Sequence, residues 1–144
     1  MKTRWLGLSA AVGSMACVAL FAQDKPAVKD GDFPPRVVST EPADRARDVD
    51  PDLTEISVTF DRPMRQGRFW SWILMEPYGA YPGDKGAGEP VWADNHKTCV
   101  LKVKLRPGTT YAVGVNSYRH TGFQDPDGQP AVPYVWVFKT RAPR

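Results

Sequence analysis

Apolar and polar residues alternate in short runs along most of the chain, and turns break the runs. The clearest are Glu55 to Phe60 and Thr98 to Leu105. In the first, Ile56, Val58 and Phe60 alternate with Ser57 and Thr59; in the second, Cys99, Leu101, Val103 and Leu105 oppose Lys102 and Lys104. A period of two sends one set of side chains to each face of an extended segment, so each run predicts a half-buried antiparallel strand. The same reading predicts strands over Arg36 to Thr40, Tyr111 to Asn116 and Tyr134 to Thr140. Phe69 to Met75 puts Trp70, Trp72 and Leu74 on one face and Phe69, Ser71 and Ile73 on the other. Glu89 to Trp92 is a short strand, joined to Thr98 by a hairpin turn over Asp94 to Lys97. Long loops are expected over Pro42 to Pro51, Glu76 to Gly88 and Tyr118 to Pro133. Past the N-terminal segment no window carries a helical stripe, and one helical turn over Pro63 to Arg68 is the only helix expected. Short strands separated by turns predict an all-β sandwich or barrel.

The first 22 residues change the length that must fold. Lys2 and Arg4 are followed by an uncharged stretch from Trp5 to Ala22, the arrangement of a cleavable secretory signal. At 18 residues, interrupted by Gly7, Ser9, Gly13 and Ser14, the stretch falls short of the ~20 apolar residues of a membrane span. Ser14 is a poor residue three before Cys17 for lipidation of that cysteine. Residues 23–35 read as a flexible arm, and 36–141 as the domain. The 122 residues left after cleavage hold all 14 prolines and 10 of the 12 glycines, a composition of turns rather than helices. They bury about two-thirds of their unfolded surface, enough for one core. The full chain carries +3, and without Lys2 and Arg4 the balance is 17 against 16. That speaks against a nucleic-acid footprint or a polybasic membrane patch. Cys99 alone remains after cleavage, and on the face of Leu101 and Val103 it reads as a buried small hydrophobe.

Leu105-Arg106-Pro107-Gly108-Thr109-Thr110-Tyr111 is the strongest local signal. Pro107 and Gly108 make a tight turn, and Tyr111 can pack inward while its hydroxyl returns to the backbone of that turn, the tyrosine corner of Greek-key sandwiches. Three further stretches complete a pattern: Val37-Val38-Ser39-Thr40-Glu41-Pro42-Ala43-Asp44, Ile56-Ser57-Val58-Thr59-Phe60-Asp61-Arg62-Pro63-Met64, and Asp125-Pro126-Asp127-Gly128 followed by Phe138-Lys139-Thr140. Together they resemble, over residues 34 to 140, the bacterial immunoglobulin-like domain of the S-layer SbsA type. The resemblance implies an immunoglobulin-like Greek-key β-sandwich of about seven strands, with Tyr111, Pro107, Gly108, Phe60 and Phe138 in structural positions. It also implies an exported bacterial protein, periplasmic, cell-surface or secreted, that serves as a spacer or binding module without a catalytic set. Trp70-Ser71-Trp72 and Pro130 to Tyr134 are additions to the general pattern. The chain ends at Arg144 without a sorting signal or second module, which speaks against a simple spacer.

No inventory for chemistry emerges. Two histidines and Cys99 appear without C-x-x-C or H-E-x-x-H, so no metal site is expected. Asp125-Pro126-Asp127-Gly128 lacks the ligand spacing of a calcium loop and reads as a turn capped by Asp125. No serine lies in G-x-S-x-G, and Ser117, His120 and Asp125 share a loop without a motif. Glu76 and Glu89 flank one loop, and nothing buries either of them. Neither catalysis nor a cofactor is therefore expected. What remains is aromatic: Trp70, Trp72, Tyr78, Tyr81, Trp92, Tyr118 and Phe123 gather around two long loops. Trp70 and Trp72 read chiefly as core, and Tyr78, Tyr81 and Tyr118 as exposed. Trp72, Tyr78, Tyr81, Trp92, Tyr118, Arg119 and His120 are the candidate binding residues. The partner expected is another envelope or secreted protein, with an envelope glycan stacking on the loop aromatics as the alternative. Neither nucleic acid nor a stable membrane span after signal cleavage is expected.

Overall fold

The computed structural model describes residues 31–143. The secretory leader and most of the proposed arm lie outside the described residues. Among the described residues, seven strands form two antiparallel sheets: β1 (Val37–Glu41), β2 (Glu55–Phe60), β3 (Trp72–Leu74), β4 (Val91–Trp92), β5 (Thr98–Lys102), β6 (Thr110–Val115) and β7 (Tyr134–Lys139). One sheet has the order β1-β2-β5-β4 and the other β3-β6-β7. The inward residues read from the alternation meet between them. Ile56, Val58 and Phe60 of β2 and Cys99 and Leu101 of β5 are buried from one side, and Tyr111, Val113, Val115, Trp136 and Phe138 from the other.

This interior has two lobes. One holds Tyr111, Trp136 and Phe138, with Phe138 stacked on Tyr111 at a centroid separation of 5.6 Å. The other holds Phe60, Met64, Cys99 and Phe123. Trp72 and Tyr134 pack on both lobes and join them. Phe123 is the hub of the second lobe, 5.1 Å from Phe60, 5.4 Å from Trp72 and 5.9 Å from Trp92, the last two edge-on.

Local chemistry closes the ends. The Arg106 N–H donates to the Tyr111 hydroxyl at 2.7 Å, and the Gly108 N–H donates to Arg141 O at 2.8 Å. The buried Thr140 hydroxyl accepts the Thr109 N–H at 2.9 Å and donates to Arg106 O at 2.5 Å. In the 94–97 hairpin, Asn95 Oδ1 accepts the N–H groups of Lys97 and Thr98 at 2.9 and 3.0 Å. Asp125 Oδ1 accepts those of Asp127 and Gln129, and Gly128 takes φ +84°. The outer edge of β7 is covered by residues 44–49, where Arg45 N–H donates to Val137 O and Lys139 N–H to Ala46 O. That blocks one sheet edge against pairing with another chain.

Three expectations need correction. Residues 63–68 form no helical turn, because their backbone is used across loops: Met64 N–H donates to His96 O and Arg65 N–H to Gln124 O. The strand expected over 69–75 shortens to β3, and Leu74, on the Trp72 face, is 51% exposed at its end. Pro35, placed at the end of the arm, is buried, and its carbonyl accepts the Val132 N–H at 2.8 Å.

Candidate functional site

Residues 75–90 form a strap that crosses from one sheet to the other. After β3 the chain turns at Met75 to Tyr78 and runs back beside β6. There Ala80 N–H donates to Thr110 O at 3.0 Å and Ala112 N–H to Ala80 O at 2.9 Å. Gly83 then bridges Val103, with Asp84 N–H on Lys102 O at 3.0 Å and Lys104 N–H on Pro82 O at 3.2 Å. The strap thus occupies the backbone edges of β6 and of the chain just past β5. Tyr81 lies between the two anchor points, half-buried against the first core lobe. Burial raises the pKa of its phenol. A Cβ at Gly83 would sit 2.5 Å from the Tyr81 ring, so only glycine lets the ring lie against the strap.

An open groove of about 370 Å³ lies between the strap and β3. Its apolar lining is Trp70, Trp72, Ile73 and Tyr81, with the buried Leu101 behind them. Asp84, Lys85 and His120 supply the charged and polar groups, and Gly83, Gly88 and Pro90 complete the strap side. Asp84 Oδ1 accepts the Gly86 N–H at 2.9 Å, a local turn. Outside the groove, an exposed ion pair joins Arg68 to Glu89, linking the chain ahead of β3 to the strap's far end.

The third wall depends on Asn116 at the end of β6. Asn116 is 3% exposed and takes φ +60°, a conformation asparagine tolerates. Its amide donates to Phe123 O and Ala131 O at 2.9 and 3.0 Å, and its Oδ1 accepts the Phe123 N–H at 3.0 Å. One side chain therefore holds two distant parts of the 117–133 loop. The loop also docks on the segment leading into β3: Gly122 N–H donates to Ser71 Oγ at 2.7 Å and Asn116 N–H to Ser71 O at 3.0 Å. A Cβ at Gly122 would lie 2.2 Å from Trp70 O, so the approach needs glycine.

The structure brings three of the candidate binding residues together at the groove: Trp72, Tyr81 and His120. Trp92 lies elsewhere, its ring in the Phe60–Phe123 cluster and its indole N–H enclosed without a partner. Tyr78 is 60% exposed in the turn after β3, and Tyr118 is 98% exposed at a loop tip next to the exposed Arg119. None of these four lines the groove. Phe123, grouped in sequence with the loop aromatics, is fully buried. Trp70, Asp84 and Lys85 line the groove without having been singled out as binding residues. Asp84 and Lys85 lie in a glycine-rich stretch that reads as an ordinary turn, so only the crossing of the strap reveals them.

Ser117 Oγ lies 3.3 Å from His120 Nδ1 and accepts the His120 N–H at 3.1 Å, a local turn. Asp125 is turned to its own loop, with Oδ1 on backbone amides and Oδ2 3.9 Å from Arg62. Among the described residues no hydrogen bond or ion pair joins Asp125 to His120, so the three do not form a relay. Burial pushes the Cys99 thiol up to about 12, and the neighbouring Trp72 indole offsets part of that. The thiol is thus held in its unreactive form. Among the described residues, no group of three or more His, Cys, Asp and Glu side chains is placed to hold a metal ion.

Two antiparallel sheets, a tyrosine corner and a strap that changes sheets define an immunoglobulin-like sandwich. The chain belongs to the bacterial Ig-like domain family, whose model matches residues 32–140; the family is generally non-catalytic. No curated protein has a matching sequence. Among solved structures, the chain is similar to CopC from Methylosinus trichosporium OB3b, at 14% identity and TM-score 0.52, over 76% of this chain and 96% of that one. It is also similar to PcoC, a copper resistance protein from Escherichia coli, at 16% identity and TM-score 0.51, over 73% and 98%. The S-layer protein SbsC shows 19% identity and TM-score 0.49 over 78% of this chain. The matched part is 14% of that SbsC chain. At these identities the likeness is one of fold.

Proposed function

We propose that this protein is an exported, non-catalytic Ig-like module of the bacterial cell envelope. It serves protein interaction or structural attachment, and its contact site is the strap groove. One observation carries the reading: a sandwich whose β6 and β7 edges are covered by its own chain presents a concave aromatic site with polar groups at one side. Sites of this composition, mostly apolar with a few placed polar groups, are the usual form of ligand-binding clefts. The exposed apolar side chains do not compete with it as a surface. None of the exposed large apolar side chains among the described residues lines the groove. The charged leader and its uncharged stretch support export.

The test places a photo-crosslinking residue at position 85 in cells that make the protein. Lys85 is exposed and lines the groove. A discrete adduct with one envelope component is the expected result. A protein that stays folded and exported yet yields no adduct contradicts the reading.

A further inference from the structure

We infer that the strap groove takes a pyranose sugar of gluco configuration, one whose ring substituents are equatorial. The inference rests on the attachment-module reading and specifies what the attached component presents to the groove. Three observations lead to it.

The first is the kind of surface offered. Trp70, Trp72 and Tyr81 line one cleft of about 370 Å³, near the small end of the roughly 300–1,000 Å³ typical of ligand sites; the Trp72 ring is part of the core, with its indole N–H enclosed, so Trp70 and Tyr81 are the rings left to meet a ligand. A pyranose with equatorial substituents has two flat faces of C–H groups, and such a face packs on an indole or phenol ring while releasing water from both. An axial hydroxyl roughens one face and spoils that contact.

The second is the placement of polar groups. Asp84, Lys85 and His120 border the aromatic lining. An equatorial hydroxyl points outward in the plane of the ring, where a carboxylate accepts from it and an ammonium donates to it. Asp84 accepts the Gly86 N–H through Oδ1, and Oδ2 is the oxygen a ligand hydroxyl would meet. His120 Nδ1 lies 3.3 Å from Ser117 Oγ, and Nε2 is the nitrogen a ligand would meet.

The third concerns what the groove does not offer. An extended peptide gains much of its affinity by adding to a strand edge. Here the strap occupies the edges of β6 at Ala80 and of the chain past β5 at Gly83, and the strand edge left beside the groove, that of β3, is only three residues long. The cleft therefore recognises rings and hydroxyls better than a peptide backbone.

The experiment titrates the purified protein with cellotetraose and chitotetraose and follows tryptophan emission and indole N–H resonances. The inference expects saturable binding of at least one sugar. It expects Trp70→Ala and Asp84→Asn each to weaken that binding by about tenfold or more. Tyr118→Ala, at a tip outside the groove, leaves it unchanged. Asp84→Asn and Lys85→Ala change partly or fully solvated side chains, so they report on binding even if Trp70→Ala fails to fold. No saturable response to either sugar up to about 10 mM overturns the inference, as does binding that neither Asp84→Asn nor Lys85→Ala alters. The position-85 adduct separates this failure from that of the module reading. An adduct that is an unglycosylated peptide overturns the sugar and leaves the module standing, and no adduct overturns the module. An adduct removed by glycan-degrading enzymes alone assigns the sugar to a polysaccharide, and one trimmed by protease to a glycopeptide assigns it to a glycoprotein; both support the inference.

Discussion

Replacing Asn116 with alanine tests how the groove's third wall is held. The side chain makes three hydrogen bonds in a buried position, to Phe123 O, Ala131 O and Phe123 N–H. Phe123 O keeps a second donor, the Ala131 N–H at 2.9 Å. The substitution therefore orphans two groups, the Phe123 N–H and the Ala131 carbonyl. Leaving a buried polar group unpaired costs roughly 1–3 kcal/mol each. Alanine at φ +60° adds about 1 kcal/mol or more, and water entering the loosened loop returns some of the total. We expect a net loss of about 3–5 kcal/mol, which in urea lowers the midpoint by roughly 2 M. Tryptophan emission should also shift before global unfolding, because Phe123 packs on Trp72 and Trp92. Asn116→Gly separates the two causes, since it loses the same hydrogen bonds without the left-handed strain. It should be about 1 kcal/mol more stable than Asn116→Ala. A loss below about 1 kcal/mol for Asn116→Ala would refute the anchoring role.

Tyr111→Phe removes the hydroxyl that accepts the Arg106 N–H and should cost about 1–2 kcal/mol; equal denaturation midpoints would reject that role. Gly122→Ala places a methyl against Trp70 O and Ser71 Oγ, and should destabilise by about 1–3 kcal/mol while altering Trp70 emission; an unchanged midpoint and spectrum would show that the loop does not dock there. Cys99 should not react with a thiol reagent at pH 8 until the chain unfolds, since its thiol is pushed up to about 12. Its sign in alkali follows from proton counting. Above about pH 8.5 the unfolded thiol loses a proton that the folded one keeps, so stability falls as pH rises towards 12. Cys99→Ala should make stability fall less steeply there, by about 1.4 kcal/mol per pH unit, and parallel curves would contradict the burial.

The alternation at Glu55 to Phe60 could be read directly because that strand has one wet face and one dry face, as its burial shows. β6 is different: all of Tyr111 to Val115 is buried, since Ile73 and Met75 cover the outer side at Gly114. A period-two pattern carries no trace of such a cover. The tyrosine corner was legible because its partners, Arg106 and Tyr111, are five residues apart. Asn116 was not, because its partners are seven and fifteen residues away and an asparagine after a strand looks like any turn residue. The groove divides the same way. Aromatic loop residues were visible, but which of them meet depends on the path of the strap. That path brings Tyr81 to Trp72 and leaves Tyr78 and Tyr118 outside.

We assign the contact surface to the groove. The most direct test of that assignment is oxidative footprinting of the protein, alone and mixed with isolated envelope from the producing bacterium. Trp70, Tyr81 and His120 should be protected, with Tyr118 labelled equally in both samples. Protection confined to Tyr118, or none at the groove residues while the protein is bound, would contradict it.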